Sequence, residues 1–391
     1  MELRAVAHTV IHTTRTEFEK LSKKGKIVLV TLAALAGLGI VTGIYRLLVG
    51  LGSTTNLSDA YPWGLWLGFD FTLIAFGGTA FTMAMVVHVF NQEKYHSVLR
   101  PALLTGFLGY ISVLVILLID LGRPDRFWGF IPYANVHSPL FEICWCILIY
   151  TTVLAFEVAP MVFERLNQPR TLRIFRAAII PVTIVGIAVS TCHQSTLGTI
   201  YLALPARTHE LWWSWVMPIL YYLSAIGMGL SAAILVMLVG SKALGREPDM
   251  EALGGLGKIS VWIWVAYLLL RIEDLLMTGD LRYMTTLDSR GTRFWVEILL
   301  MVVTPIVLYS IRNVRTSKVG LLWTALAVTL GLGFNRFNPM FSERPPVPIE
   351  VSYFPSLVEF IVQIGVLAAA ALAWYVLARL LPIFEPEHQH A

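Results

Sequence analysis

Charge is what this sequence has least of. Asp, Glu, Lys and Arg make up only 14% of its 391 residues, against about 25% in an ordinary soluble domain. So few charges cannot clothe a water-facing surface, and no soluble-domain reading fits. Cysteine is almost as scarce. Cys144, Cys146 and Cys192 all lie in apolar stretches, and no C-x-x-C, C-x-x-C-H or four-cysteine run occurs. That excludes the usual iron–sulfur and c-type haem attachments and leaves the three as buried membrane cysteines. Nothing in the pattern calls for a nucleic-acid partner.

What is present is apolar. Hydrophobic residues form 57% of the chain, and the mean hydropathy is +0.70. A helix needs roughly 20 apolar residues to cross a bilayer. Stretches that qualify run over about 27–49, 65–90, 99–121, 140–163, 172–194, 212–240, 257–278, 294–311, 319–335 and 356–381. The fold class is therefore all-α: a polytopic membrane protein with about ten transmembrane helices joined by short connections. The 12 Trp and 14 Tyr suit a protein with two membrane–water interfaces. The basic stretch Lys20, Lys23, Lys24, Lys26 leads into a run of full span length. Residues 1–26 thus read as a cytoplasmic tail rather than a cleaved signal. The membrane domain covers 27–382, and 383–391 form a second cytoplasmic tail.

Lysine is missing from every second loop. With the N-terminus inside, all lysines, and 19 of the 29 Lys and Arg residues, fall on the cytoplasmic side, as the positive-inside rule expects. Both termini are then cytoplasmic. A weak repeat runs through the spans. Trp63-x-x-Trp66 followed by Gly77-Gly78-Thr79-Ala80 is echoed by Trp212, Trp213, Trp215 followed by Gly227-Met228-Gly229, and Glu142 is echoed by Glu297. The copies lie four helices apart and so share an orientation. This predicts two four-helix bundles, about 65–194 and 212–335, with the first and last helices peripheral.

Ionisable groups inside spans are costly and default to functional readings. Asp70, Asp120, Glu142, His193, Arg271, Glu273, Asp274, Glu297 and Glu359 map to the outer third of the bundle; His88 and Glu157 lie toward the cytoplasm. Glu359 and Glu297 fit interfacial anchoring, and Arg271 and Asp274 are spaced to pair on one helix face. A b-type haem needs two histidines facing each other at one depth, and His88 and His193 lie at opposite ends. A metal centre needs several ligands together, and no such cluster occurs. Acids, one histidine and many aromatics near one face suit quinone chemistry, which wants hydrogen-bond and proton donors beside an apolar crevice.

Several stretches are familiar. Asp120-Leu121-Gly122-Arg123-Pro124-Asp125-Arg126-Phe127-Trp128 resembles the D-L-G-R-P-x-R-F-W signature of the NrfD/PsrC family, the membrane subunits of polysulfide-reductase-like complexes. Pro62-Trp63-Gly64-Leu65-Trp66, His193-Gln194-Ser195-Thr196-Leu197-Gly198, Phe294-Trp295-Val296-Glu297 and Tyr353-Phe354-Pro355 are similar to its HybB branch. The resemblance runs from about residue 45 to residue 382. It implies a quinone-interacting subunit of a respiratory redox complex, with quinone, menaquinone foremost, as substrate and no haem or iron–sulfur cluster in this chain. It also implies a periplasmic ferredoxin-like iron–sulfur partner belonging to a hydrogenase or multihaem cytochrome c complex. Motif positions place His193, Asp120, Glu142 and Arg123 around the quinone. Asp70, Arg271, Glu273 and Asp274 are the candidates for proton transfer. The rival reading is a secondary transporter, whose sites favour the bilayer midplane and interrupted helices. Here the charges gather at one face.

The lysine distribution is directly testable. A cysteine introduced at Lys318 should resist a membrane-impermeant thiol reagent in intact cells and react after the membrane is opened. Labelling in intact cells would invert the topology.

Overall fold

A computed structural model describes residues 21–285, 288–341 and 353–384. The first part of the basic tail and nearly all of the C-terminal tail lie outside them. Among the described residues, ten helices are long and apolar enough to cross a membrane: α1 Lys23–Val49, α2 Leu65–Val89, α3 Glu93–Asp120, α4 Pro139–Arg165, α5 Pro169–Leu202, α6 Met217–Leu244, α7 Met250–Thr278, α8 Ser289–Ser310, α9 Lys318–Phe341 and α10 Leu357–Leu380. They run alternately up and down. The face at which α1 ends and α2 begins is here called distal, its opposite proximal.

Helices α2, α3, α4 and α5 close one ring of contacts, and α6, α7, α8 and α9 close a second in the same order. The rings meet chiefly through α2 on α6, α2 on α9 and α5 on α6, and also through α3 on α6, which has no such counterpart in α7 on α2. A two-fold axis along the membrane normal produces this set of contacts, because it maps α2 on α9 onto α6 on α5. The repeat motifs themselves lie at the crossing. A Cβ on Gly229 would stand 2.5 Å from Thr82 Oγ1 and 3.0 Å from the Gly78 carbonyl. Only a bare backbone lets α2 and α6 approach so closely. Outside the rings, α1 packs on α10, with Gly39 against Gly365 at a distance no Cβ tolerates.

Many helix bounds shift by several residues from the sequence expectation, and the departures in α5, α9 and α8 bear on the polar residues. The sequence pattern predicts that α5 stops at 194, but it continues to Leu202. The polar run Ser195-Thr196-Leu197-Gly198-Thr199 reads as a helix end. Its hydroxyls instead donate back to the carbonyls of Thr191, Cys192 and Ser195, which satisfies them within the helix. The pattern likewise predicts that α9 ends at 335, and it runs on to Phe341, so Arg336 belongs to a helix and not to a loop. In α8, Pro305 cannot donate to the ladder, and the turn before it, Leu299–Val303, widens to π geometry. Pro181 sits inside α5. Of the three cysteines, Cys146 is buried, Cys144 half-buried, and Cys192 faces outward.

The distal ends of α1, α2 and α10 are joined by one carboxylate. Ser356 and Glu359 form a capping box at the start of α10. Glu359 also accepts from the Asn56 amide at 3.1 Å and from the Tyr353 phenol, while its carbonyl accepts from Trp66 Nε1 at 3.0 Å. The Tyr353 phenol in turn accepts from the Leu65 amide at 2.9 Å, the first donor of α2. Burial and the Glu359 carboxylate push the Tyr353 phenol above its ordinary pKa. Glu359 is thus fully buried. The expectation that Glu359 and Glu297 anchor at the interface fails, because both find partners inside the protein.

Candidate functional site

Two polar centres lie in the distal halves of the two rings, and they differ in how their groups are satisfied. In the first ring, α5 turns Ser190, His193 and Gln194 inward, α3 contributes Tyr110, α4 contributes Tyr150 and α2 contributes Asp70, all buried. The His193 ring lies 5.8 Å from that of Tyr110, which meets Tyr150 edge-on at 4.8 Å. Gln194 Nε2 donates to the Ile74 carbonyl at 3.0 Å and ties α5 to α2. Both nitrogens of His193 and both carboxylate oxygens of Asp70 have no hydrogen-bond partner among the described residues. The Tyr110 and Tyr150 hydroxyls converge on Ser190 Oγ, yet none of the three reaches hydrogen-bonding geometry. Buried polar groups are nearly always paired, and His193 and Asp70 depart from this among the described residues.

Glu142 stands nearer the distal surface. It lies in the first turn of α4, is exposed, and accepts from Thr196 Oγ1 at 2.6 Å. Thr196 follows His193 by one turn of α5, so the Glu142–Thr196 bond closes the seam between α4 and α5 above the histidine. The helix rise puts His193 about 13 Å below the distal end of α5, deeper than the helix end at which the sequence placed it.

The other expected members lie apart. Asp120 ends α3 on the side of α1 and α10, within electrostatic reach of Arg46 and Glu359 as well as Asp70. Arg46 is buried and donates to the Leu121 carbonyl at 2.6 Å. Arg123 is exposed and pairs with Asp125 at 2.8 Å. That pairing lowers the Asp125 pKa and raises that of Arg123. Arg123 therefore occupies the distal surface and does not approach His193.

In the second ring the buried charges are paired. Arg271 binds Asp274 and the Leu211 carbonyl, Asp274 accepts from Ser214, and the guanidinium lies 5.3 Å from the centre of the Phe294 ring. Glu297 accepts from Trp212 Nε1 at 2.9 Å, Asn335 at 2.7 Å and Asn338 at 2.8 Å. Arg336, fully buried, donates to Asn335 and to Ser224 Oγ, and stands 3.8 Å over the Tyr221 ring. Glu273 points the other way and is exposed, so the structure separates it from Arg271 and Asp274. Near the proximal face, Glu157 is buried and bound by Thr183 at 2.7 Å.

The two centres correspond residue by residue. Gly77 faces Tyr110 as Gly227 faces Trp264, and the step from Tyr110 to Asp120 equals that from Trp264 to Asp274. The Thr196–Glu142 bond between α5 and α4 has its counterpart in the Asn338–Glu297 bond between α9 and α8. Gln194 on Ile74 is matched by Arg336 on Ser224. The sequence reading missed Tyr110, Tyr150, Asn335, Arg336 and Asn338. A polar pair one turn apart, Asn335 and Asn338, was the available signal in α9, but it straddled the expected helix end at 335.

Comparison with known proteins agrees with this architecture. Residues 53–342 match the family model described as polysulphide reductase, NrfD. The chain belongs to this family. It is 34% identical to the probable Ni/Fe-hydrogenase 2 b-type cytochrome subunit of Escherichia coli, over 89% of this chain and 90% of that one. It is 30% identical to the menaquinone reductase integral membrane subunit of Nitratidesulfovibrio vulgaris, over 88% of each chain. A selenate reductase subunit of Mesobacillus selenatarsenatis is 25% identical over 93% of this chain and 96% of that one. This NrfD protein is thus a multi-pass membrane subunit of the kind found in redox complexes.

Removing one partner of a buried ion pair strands the other and typically costs about 3–5 kcal/mol, whereas an apolar replacement of both is often neutral. Arg271→Gln should therefore lower the thermal unfolding midpoint of the purified protein by several degrees, and Arg271→Met with Asp274→Leu should recover most of it. An Arg271→Gln protein as stable as the parent would remove the structural role of the pair.

Proposed function

We propose that this NrfD subunit passes electrons between a periplasmic iron–sulfur partner and the quinone pool of a bacterial inner membrane, and that the quinone head binds in the first ring beneath Glu142. The observation that carries this reading is the set of unpartnered buried groups around His193. It is supported by the relative named as a menaquinone reductase subunit, which favours menaquinone, and by the hydrogenase relative, which favours a hydrogenase or multihaem cytochrome complex as the assembly. The distal face is periplasmic in this reading and both termini are cytoplasmic, as the lysine distribution demands.

The chemistry follows from the residues. His193 donates an N–H to one quinone carbonyl oxygen and so favours the charge that builds there as electrons arrive. Glu142 is exposed and can exchange the proton with the distal side. It is better placed than Asp120, which faces Arg46, and than Glu157, which lies at the far end. The head group enters where the Glu142–Thr196 bond opens, since His193 is otherwise closed off. Arg123 in this reading belongs to the partner-facing surface. Asp70, within electrostatic reach of Asp120, and the Arg271–Asp274 pair are the route by which protons would move if turnover is coupled to translocation; exposed Glu273 would serve only at its mouth.

A haem does not suit the histidines. His193 packs on Tyr110 in the first ring, while His209 caps a helical turn and packs on Trp212 and Tyr283 beside the second. We therefore read the chain as free of haem. The purified protein should give no reducible b-type Soret band, and such a band would overturn this.

Losing a group that assists proton transfer typically costs about 10²- to 10⁴-fold in rate. His193→Ala should slow quinone-linked turnover of the assembled complex by that order while leaving the partner enzyme active with a soluble dye. Glu142→Gln should give a smaller loss that is steeper at low proton concentration. Quinone turnover within a few-fold of the parent in an assembled His193→Ala complex would move the site elsewhere.

A further inference from the structure

On the proximal side, away from both polar centres, the rings leave a gap. Below the crossing of Gly78 and Gly229, α2 and α7 diverge and α6 forms the floor between them. The last turn of α2, Met85–Val89, widens to π geometry, and the chain then reverses through Asn91 at φ 51°. The result is a cavity of about 510 Å³ walled by Met85, Val86, Ile226, Leu230, Ile259 and Ile263. This is within the size range of small-molecule pockets, about 300–1,000 Å³.

Its polar lining residues are Gln92, Lys94, Tyr95, Lys258 and Thr82, placed at two levels. At the mouth stand Lys94 and Lys258, both exposed and neither paired with a carboxylate among the described residues; Lys94 instead lies 4.9 Å over the Tyr95 ring. At the inner end stands Thr82, fully buried, its hydroxyl without a partner. Thr82 lies about 10 Å along the helix from the end of α2, so a guest that meets both levels is an extended one.

We infer that this gap is a binding site for an anionic glycerophospholipid, its phosphate held by Lys94 and Lys258, an ester carbonyl accepting from Thr82, and one acyl chain laid against α6. Two unpaired cations at the mouth select an anion. The apolar walls select one that carries a hydrocarbon chain, which a free phosphate lacks. A quinone fits less well, because it carries no charge for Lys94 and Lys258 to answer. A lipid held here touches α2 of the first ring and α6 and α7 of the second, so it joins the rings on the side where they otherwise separate.

The test uses the full chain, purified in mild detergent and stripped of lipid. Phosphatidylglycerol should raise its unfolding midpoint, and phosphatidylcholine with the same acyl chains should not. Replacing Lys94 and Lys258 together by Gln should leave the lipid-free midpoint unchanged and weaken the phosphatidylglycerol response roughly twenty-five-fold in apparent affinity, since each cation near an anionic lipid contributes about fivefold. Ile259→Trp, which fills the cavity, should reduce the lipid retained by native mass spectrometry. Should that variant fail to fold, the double lysine variant decides alone. An equal response to the two lipids, or a full phosphatidylglycerol response in the double variant, would overturn the proposal. So would retention of menaquinone in place of phospholipid by the parent and its loss in Ile259→Trp. Quinone turnover governed by His193 is read separately, so either outcome leaves that question untouched.

Discussion

Inside a bilayer no water is at hand to satisfy a polar group, so each one must find a partner within the protein or within what the protein binds. The architecture follows from that constraint. Hydroxyls along α5 turn back on their own helix and carry it past its apparent end. Glu359 serves three helix ends at once because a carboxylate buried there must be fully occupied. Arg46 answers the bare carbonyl of Leu121 at the end of α3. Where two helices must cross without side chains between them, the sequence supplies Gly78 against Gly229, and Gly39 against Gly365.

The same constraint distinguishes the two rings. They share a plan, down to matching hydrogen bonds between equivalent helices. In the second ring the plan is filled with complementary partners: Arg271 with Asp274, Glu297 with a tryptophan and two asparagines, Arg336 with a serine and an aromatic face. In the first ring the matching positions hold Thr196, Gln194 and His193 around aromatic hydroxyls, and their hydrogen-bonding capacity is left over. The charged groups of one copy are tied to each other, whereas His193 and Asp70 of the other are not, although both copies also bury hydroxyls without partners among the described residues. The charge-bearing residues drew notice in the sequence, yet the more telling signal is which polar groups lack partners.

Much of the site could be read without coordinates, but unevenly. His193, Asp70, Glu142 and the Arg271–Asp274 pair stand out because an ionisable residue in an apolar run is conspicuous and because a spacing of three on a helix fixes a shared face. Glu273 stands out equally and is misleading, since one residue's step turns it to the opposite side. Arg123 sits in the most recognisable motif of the chain and still lies on the surface beside Asp125. Tyr110 and Tyr150 were not legible, because an aromatic in a transmembrane run looks like packing until its hydroxyl is seen to be buried.

The sequence by itself determined that the chain crosses a membrane about ten times, that its lysines gather on one side, that four-helix units repeat, and to which family it belongs. These depend on composition, period and local motif, which are properties of the linear chain. Tertiary structure alone decided that α5 and α9 run past their polar stretches, that Glu297 and Glu359 are interior hubs, that Asp120 and His193 face different neighbours, and that a lysine-rimmed gap opens between the rings. Each of these depends on which residue from another helix arrives opposite. Whether a buried polar group has a partner is a property of the packed pair, and no single segment carries it.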